Sequence, residues 1–348
     1  MKKTFSVVGS AKYQGDKQLQ YVELKNALNA LGLEESNTLK SDLVIFVNYS
    51  RKFLKKVKKH HSKRVLIRLE PKAVLPVQYK KRIEKSFDLI ITPGGQVDTK
   101  SKFIGWPYKY DLNPSMPTAS HTSLESVINE SISKGLFEIE QWNKRKNTLV
   151  LIAANKVSPT SNSNYKLRRR IAKQMSVHDL DTYGPLWNTG LVSKLSHRIS
   201  VGMNALKGGF IPNLLEIYGD LHWKYPTYID EPTDKHQIIQ QYRYSLVAEN
   251  SSDYCSEKLF DVVINGSVPI YVGPRNFELN LPDGMYFSCD GSLDNLKSLL
   301  NSIRDEDIVA MLAVMQDFIQ SEKFFTDWAS DKVYENIACQ INKFWNQK

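Results

Sequence analysis

The chain has 348 residues, 41% of them hydrophobic, with 47 Lys and Arg against 37 Asp and Glu, a formal charge of +10. That length exceeds what one hydrophobic core usually serves, so two domains are expected, and the lack of internal repeats or low-complexity tracts excludes a solenoid or a disordered scaffold. Three widely spaced cysteines, Cys255, Cys289 and Cys339, exclude a paired-cysteine metal motif and a disulfide framework, and no apolar run approaches the roughly 20 residues of a membrane span. In chain order, the first half alternates strand and helix signals. Residues 4–9, 43–48, 64–69 and 87–92 are short β-prone runs, with helical stretches such as 19–31 and 53–60 between them, which predicts a parallel α/β domain. Residues 5–9 are too few for a signal-peptide core.

From 111 to 123 the chain is rich in Pro, Ser, Thr and Asn, and 124–142 then reads as one helix, which places the domain junction there. A second α/β series starts with strand 148–153 and continues through helix 165–175 and strand 179–183. It ends with a strand, helix, strand unit at 244–248, 255–265 and 267–272, with Gly266 as the helix stop. Helices follow at 293–303, 307–322 and 332–344, and their Trp328 and Trp345 read as core. The expected organisation is 1–123 as a first Rossmann-like domain, 124–146 as a linker helix, 147–330 as a second Rossmann-like domain, and 331–348 as a helix returning to the first domain.

A crossover as short as that in 244–272 makes its two strands parallel, and ligands of such sheets sit beyond the carboxyl ends of the strands at helix N-termini. Glu249 and Asn250 lie at a strand end. Asp253 is the expected N-cap, which puts Glu257 and Lys258 in the opening turn, where free N–H groups and the helix dipole attract phosphate. A carboxylate accepts hydrogen bonds from ribose hydroxyls and a lysine neutralises a diphosphate, so the set suits a nucleotide diphosphate. In helix 165–175, at about 100° per residue, Leu167, Ile171 and Met175 form the buried stripe. Arg168 and Arg170 then border it and Arg169 points away, which leaves Arg168 or Arg170 to reach a ligand. Glu70 closes an apolar run before Pro71, at a strand end. There it is either a general base in a cleft or a solvent-facing loop residue.

The pieces AENS, DYCSEKLF and VPIYVGP, in that order, resemble the donor-binding signature of the family 10 fucosyltransferases, whose form is FENS, DYxTEK and VPxxxGP. Ser256 stands where the signature has threonine, and the loop between Ser251 and Tyr254 is about two residues shorter. The stretch RVLIRLEPKA resembles the family's acceptor-domain region, with Glu70 at the position of its proposed base. The Tyr, Arg and Asp cluster that follows in the family is replaced by Thr92, Pro93, Gly94, Gly95 and Gln96. The family's phosphate-binding arginine stands seven residues before an apolar helix residue, and Met175 sets that position at Arg168. The resemblance implies the GT-B fold, two Rossmann-like domains facing a cleft, with 1–123 binding the acceptor and 147–330 the nucleotide-sugar donor. It also implies an inverting fucosyltransferase moving L-fucose from GDP-fucose to a glycan hydroxyl, in α-1,3 or α-1,4 linkage to an N-acetylglucosamine or glucose unit. The catalytic set it implies is Glu70, Arg168 and Lys258, and the donor-binding set is Glu249, Asn250, Tyr254, Glu257, Lys258 and Arg168. Without the resemblance, Tyr254 reads equally as packing against Phe260. No metal or other cofactor is required, because cations and a helix terminus take the leaving-group charge; divalent stimulation stays open.

Asp179, Leu180 and Asp181 match a DxD tripeptide, which reads here as a strand edge, and His178, His197, His222 and His236 have no metal-ligand spacing. Lys55, Lys56, Lys58, Lys59, Lys63 and Arg64, with His60 and His61, form a basic run that is either a solvated face or a contact for anionic lipid. Nucleic acid is not an expected partner, since charge comes without a recognition motif. The expected setting is the cytoplasm, peripheral to the inner face of the membrane, with a lipid-linked or lipopolysaccharide glycan as acceptor. The stretch 184–235 is an insertion open to acceptor contact or oligomer formation. A GT-B transferase with another nucleotide sugar, or a non-catalytic glycan- or polyanion-binding protein, are the alternatives.

Overall fold

The computed structural model describes residues 3–9, 21–93, 101–104, 108, 123–207, 209–218, 224–274 and 279–346. The expectations at 94–96, 111–122 and His222, and the start of the helix at 19–31, lie outside them. The chain divides into two units, Met1–Tyr108 with Phe325–Lys348, and Lys109–Phe324.

The first unit holds β1 (Thr4–Gly9), α1 (Val22–Ala30), β2 (Glu34–Glu35), β3 (Leu43–Val47), α2 (Arg51–Val57), β4 (Lys63–Ile67), α3 (Lys81–Glu84), β5 (Leu89–Pro93) and β6 (Ser101–Ile104). The strands pair in parallel in the order β2-β1-β3-β4-β5-β6. All five β3 residues are buried, because both faces of the sheet are covered. Leu43, Ile45 and Val47 pack with α1 and the C-terminal helix Ser330–Asn346 through Leu24, Leu28, Ile337 and Ile341. Val44 and Phe46 point the other way, to Leu54 and Val57 of α2 and Ile83 of α3.

The second unit opens with α4 (Leu124–Ser133) and α5 (Ile139–Asn143), where one helix was expected. Gly135, at φ 65°, divides them: its N–H bonds to Ile132 O at 2.8 Å and that of Leu136 to Ser131 O at 3.1 Å, a Schellman stop. Then come β7 (Lys146–Ile152), α6 (Tyr165–Gln174), β8 (Leu180–Tyr183), α7 (Leu191–Lys207), α8 (Leu214–Tyr218), β9 (Tyr228–Asp230), α9 (Lys235–Ile239), β10 (Tyr242–Ala248), α10 (Glu257–Ile264), β11 (Val268–Val272) and β12 (Phe287–Ser288). The sheet is again parallel, in the order β12-β11-β10-β7-β8-β9. Leu149, Leu151, Leu246, Ala248, Ile270 and Val272 form its core on the α6 side with Ile171. The expected strands recur within two residues at either end; β2, β9 and β12 are short edge strands whose two or three residues carry little apolar pattern. Among the described residues no helix is long and apolar enough to cross a membrane.

Candidate nucleotide-sugar site

In the second unit the carboxyl end of β10, between β7 and β11, leads through Glu249 and Asn250 to the N-terminus of α10. Glu249 is fully buried. Its Oε1 accepts from the Ser256 N–H at 2.9 Å and its Oε2 from the Ser256 hydroxyl at 2.6 Å. Lys258 Nζ donates to the same Ser256 Oγ at 2.7 Å and lies 3.6 Å from Glu249 Oε2. Ser256 is thus a hydroxyl relay that gives its proton to Glu249 and accepts from Lys258. Burial works against the Lys258 charge, but Glu257 and Glu249 outweigh it and raise its pKa. Burial likewise disfavours ionised Glu257, yet the ammonium groups of Lys258 and Lys235 hold its carboxyl below the usual range. The Glu257 side chain, 36% exposed, is the open carboxylate of the site.

Arg168 reaches the same strand end from α6. Its Nε donates to Ala248 O at 2.9 Å, its Nη2 donates to that oxygen too and to Asn250 Oδ1 at 3.1 Å, and the guanidinium lies 5.1 Å from the Tyr165 ring centroid. Burial lowers its pKa, with Tyr165, Glu249 and Glu257 acting in opposition. The structure therefore brings Arg168, Glu249, Asn250, Glu257 and Lys258 together, and Tyr254 is buried beside them in sequence. Glu70 belongs to the first unit. It follows β4, its N–H donates to Asn48 Oδ1 at 3.0 Å, and its carbonyl accepts from Gln78 Nε2 at 2.6 Å and Tyr79 Oη at 3.0 Å, so its backbone is fixed on both sides.

Four expectations change. Asp253 is not the N-cap; that position is Ser256, while Asp253 Oδ1 accepts from Ser251 Oγ at 2.7 Å. Glu249, expected in the donor grip, is fully buried, with each of its carboxylate oxygens accepting from Ser256. Arg169 points inward, 1% exposed, because its Nη1 donates to Lys156 O at 2.6 Å. Arg170 is exposed, with its Nη2 donating to Gly291 O at 3.2 Å. The Asp181 carboxylate of the DxD tripeptide accepts from the Tyr242 hydroxyl at 2.5 Å.

A cavity of about 220 Å³ opens beside α10, lined by Lys235, Glu257, Lys258 and Asp261 over Ala154 and Val247. Lys235 Nζ pairs with Asp261 Oδ2 at 2.6 Å. Neither was singled out from sequence, although a carboxylate within the apolar run LFDVV signals a buried partner cation.

Known proteins share the fold of the chain. No protein-family model matches it. It is 43% identical over 51 residues to a fucosyltransferase-like protein of Arabidopsis thaliana, a match spanning 14% of this chain and a tenth of that relative's length. Among solved structures it is similar to Alr3699/HepE of Anabaena in complex with UDP, at TM-score 0.54 and 10% identity over 98% of this chain and all of that one. It is also similar to an alpha1,3-fucosyltransferase with GDP, at TM-score 0.50 and 15% identity over 99% and 91% of the two chains. The fold is GT-B. A glycosyltransferase of Rickettsia africae, covered end to end at TM-score 0.50 and 9% identity, shares it. In a GT-B chain the cations at the β10 end of the second unit stand at the strand ends, where open parallel sheets take their ligands.

Proposed function

We propose that the chain is an inverting fucosyltransferase that moves L-fucose from GDP-fucose to a hydroxyl of a glycan acceptor. The observation that carries the reading is the pair Arg168 and Lys258, two cations anchored at the β10 end by Ala248, Asn250, Ser256 and Glu249, beside the α10 N-terminus. Such a cluster suits a leaving diphosphate. As the bond from the anomeric carbon to the diphosphate oxygen breaks, negative charge grows on GDP, and fixed cations stabilise that state more than the ground state. The acceptor oxygen forms the new bond from the opposite face, and Glu70 takes its proton. Glu257 is the carboxylate for the ribose hydroxyls, while Asn250 and Tyr254 complete the donor grip. A divalent ion is an optional addition to this charge balance. Three free cysteines suit the cytoplasm, and a lipid-linked or lipopolysaccharide glycan suits as acceptor.

The test is thermal stabilisation by GDP, UDP and CMP, with Lys258→Ala as control, followed by transfer of labelled fucose with Glu70→Gln as the base variant. A ligand that binds only the folded state raises Tm by mass action. A GDP-selective shift lost in Lys258→Ala, and transfer lost in Glu70→Gln with GDP binding intact, are expected. A shift with UDP alone discards fucose as the donor sugar, and no shift with any nucleotide discards the site.

A further inference from the structure

The end of β4 carries more fixed polar structure than a strand end needs. In a continued parallel ladder, Asn48 would donate its N–H to Ile67 and accept the Leu69 N–H on its carbonyl. The first rung is present, with the Asn48 N–H on Ile67 O at 2.8 Å. The second is not the ladder's. Asn48 turns to φ 61°, and its side-chain Oδ1 accepts from the Leu69 N–H at 2.9 Å and from the Glu70 N–H at 3.0 Å. On the other side of Glu70, its carbonyl accepts from Gln78 Nε2 at 2.6 Å and from the Tyr79 hydroxyl at 3.0 Å. Gln78 Oε1 also accepts the Tyr49 N–H at 3.1 Å, so one amide ties the ends of β3 and β4 together. Pro71 follows, and a residue before proline is confined to extended backbone.

A second layer holds the first. Arg68 Nη2 donates to the Gln78 carbonyl at 2.7 Å and to Glu84 Oε1 at 2.6 Å, and its guanidinium lies 4.4 Å from the Tyr79 ring centroid. It thereby pins the single 3₁₀ turn Pro76–Tyr79, which supplies both Gln78 and Tyr79. Asn48, Arg68 and Gln78 are 7%, 4% and 0% exposed. Burying an amide or a guanidinium is costly unless each polar atom is satisfied, and Arg68 Nε has no hydrogen-bond partner among the described residues. A non-glycine residue at positive φ adds strain. Buried polar side chains and a strained backbone, built around the peptide groups of one half-buried glutamate, are what functional sites keep at a cost in stability. A glutamate that opens a solvent-facing loop has no use for them.

We infer that Asn48 and Gln78 are positioning residues for the Glu70 carboxylate, and that Arg68 keeps Gln78 in place. The frame sets the Cα of Glu70 and the direction of its Cα–Cβ bond, so only the side-chain rotamers are left to fix when the carboxylate takes a proton. The inference rests on Glu70 as the base of the proposed transfer. A misplacement near 1 Å is worth about a hundredfold in rate, and it acts on the chemical step rather than on donor binding.

The test follows GDP release by the full chain from GDP-fucose, with N-acetylglucosamine or glucose as the acceptor probe. Each variant is assayed at its own optimal pH and well below its melting transition. Asn48→Gly keeps the left-handed backbone and removes the acceptor. It is expected to lower kcat by about ten- to a hundredfold, with KM for GDP-fucose within about twofold. Asn48→Asp restores an acceptor oxygen at the same place and is expected to bring kcat back to within about threefold of the native chain. Gln78→Met keeps the length of the side chain without its amide and is expected to lower kcat by about tenfold at unchanged KM. Leu28→Ala, in the α1 core of the same unit, is the stability control: Tm falls while kcat stays within about twofold. Hydrogen exchange reads the frame apart from turnover. The Leu69 and Glu70 amides are expected to lose about tenfold or more of their protection in Asn48→Gly and to regain it in Asn48→Asp. Glu70→Gln inactive beside fully active Asn48→Gly and Gln78→Met overturns the positioning role alone. So does unchanged amide exchange in Asn48→Gly, or a loss of kcat in Leu28→Ala as large as theirs. Undiminished transfer by Glu70→Gln overturns the base assignment, and the inference with it.

Discussion

Replacing Glu249 separates a carboxylate that organises the site from one that touches the ligand. In Glu249→Ala, Ser256 loses both an acceptor for its N–H and one for its hydroxyl, and Lys258 loses its inner partner. Hydrogen bonds to a charged acceptor are worth about 1.5–3 kcal/mol each, and removing one member of a buried pair costs about 3–5 kcal/mol. These overlap, so about 3–5 kcal/mol is the expected loss rather than their sum. For a unit of roughly 200 residues, about 2–4 °C per kcal/mol turns this into a fall of about 6–20 °C in Tm. Glu249→Gln keeps one acceptor oxygen and loses the charge, so it should fall about half as far. The assay is scanning calorimetry without nucleotide, paired with GDP titration well below the transition. Stability should fall strongly, and GDP affinity only by about tenfold, through a less well positioned Lys258. If Tm stays within about 2 °C while GDP affinity drops by more than a hundredfold, Glu249 reaches the ligand and the internal role assigned to it is wrong.

Further outcomes follow from the same geometry. Glu257 has a lowered pKa, so the stability it contributes is present above its ordinary value near 4.5 and is lost as pH falls through the lower folded value; Glu257→Gln should flatten the acid limb of Tm against pH. Lys258 has a raised pKa, so its contribution is whole below 10.5 and goes as pH rises through the higher folded value, and Lys258→Met should remove that alkaline loss. Gly266→Ala should destabilise by about 3 kcal/mol or more, since φ is +63° and the new Cβ would stand 2.2 Å from Leu136 O; Gly284→Ala, at φ +79° with its nearest neighbour 4.0 Å away, should cost only about 1 kcal/mol in chemical denaturation. Burial pushes the Cys255 thiol well up and Cys289 up, while Cys339 is exposed, so the native chain should give one fast thiol equivalent and three after denaturation.

What the sequence made legible follows the kind of force that decides each feature. Strands such as Thr4–Gly9 and the Gly266 stop are set by apolar runs and by backbone freedom, both visible in one dimension. The three arginines of α6 were not separable this way. Arg169 is drawn inward by the Lys156 carbonyl and Arg168 by that of Ala248, and hydrophobic periodicity is blind to backbone acceptors. The same blindness hid Lys194 and Arg198 on the buried face of α7, held by the Tyr225 ring and Ile217 O, and the Lys235–Asp261 pair across the cavity.

Ser256 shows how the structure completes a reading that the sequence left as a mismatch. The signature it resembles has threonine there, and the geometry demands only a hydroxyl, because the group must donate to Glu249 and accept from Lys258 at once. A threonine hydroxyl does both, so Ser256→Thr should leave Tm and GDP affinity within the ordinary surface range of about 0.5 kcal/mol, provided the added methyl finds room beside a residue only 1% exposed. Ser256→Ala keeps its N–H on Glu249 Oε1 but strips the relay, leaving Oε2 facing Lys258 directly across 3.6 Å. An unsatisfied buried acceptor costs about 1–3 kcal/mol, and Lys258 would move to close the gap, away from a diphosphate. Calorimetry and GDP titration of the two variants decide it. Loss of stability and affinity in alanine alone supports the relay, and equal loss in both would show that the site reads the shape of serine rather than its hydroxyl.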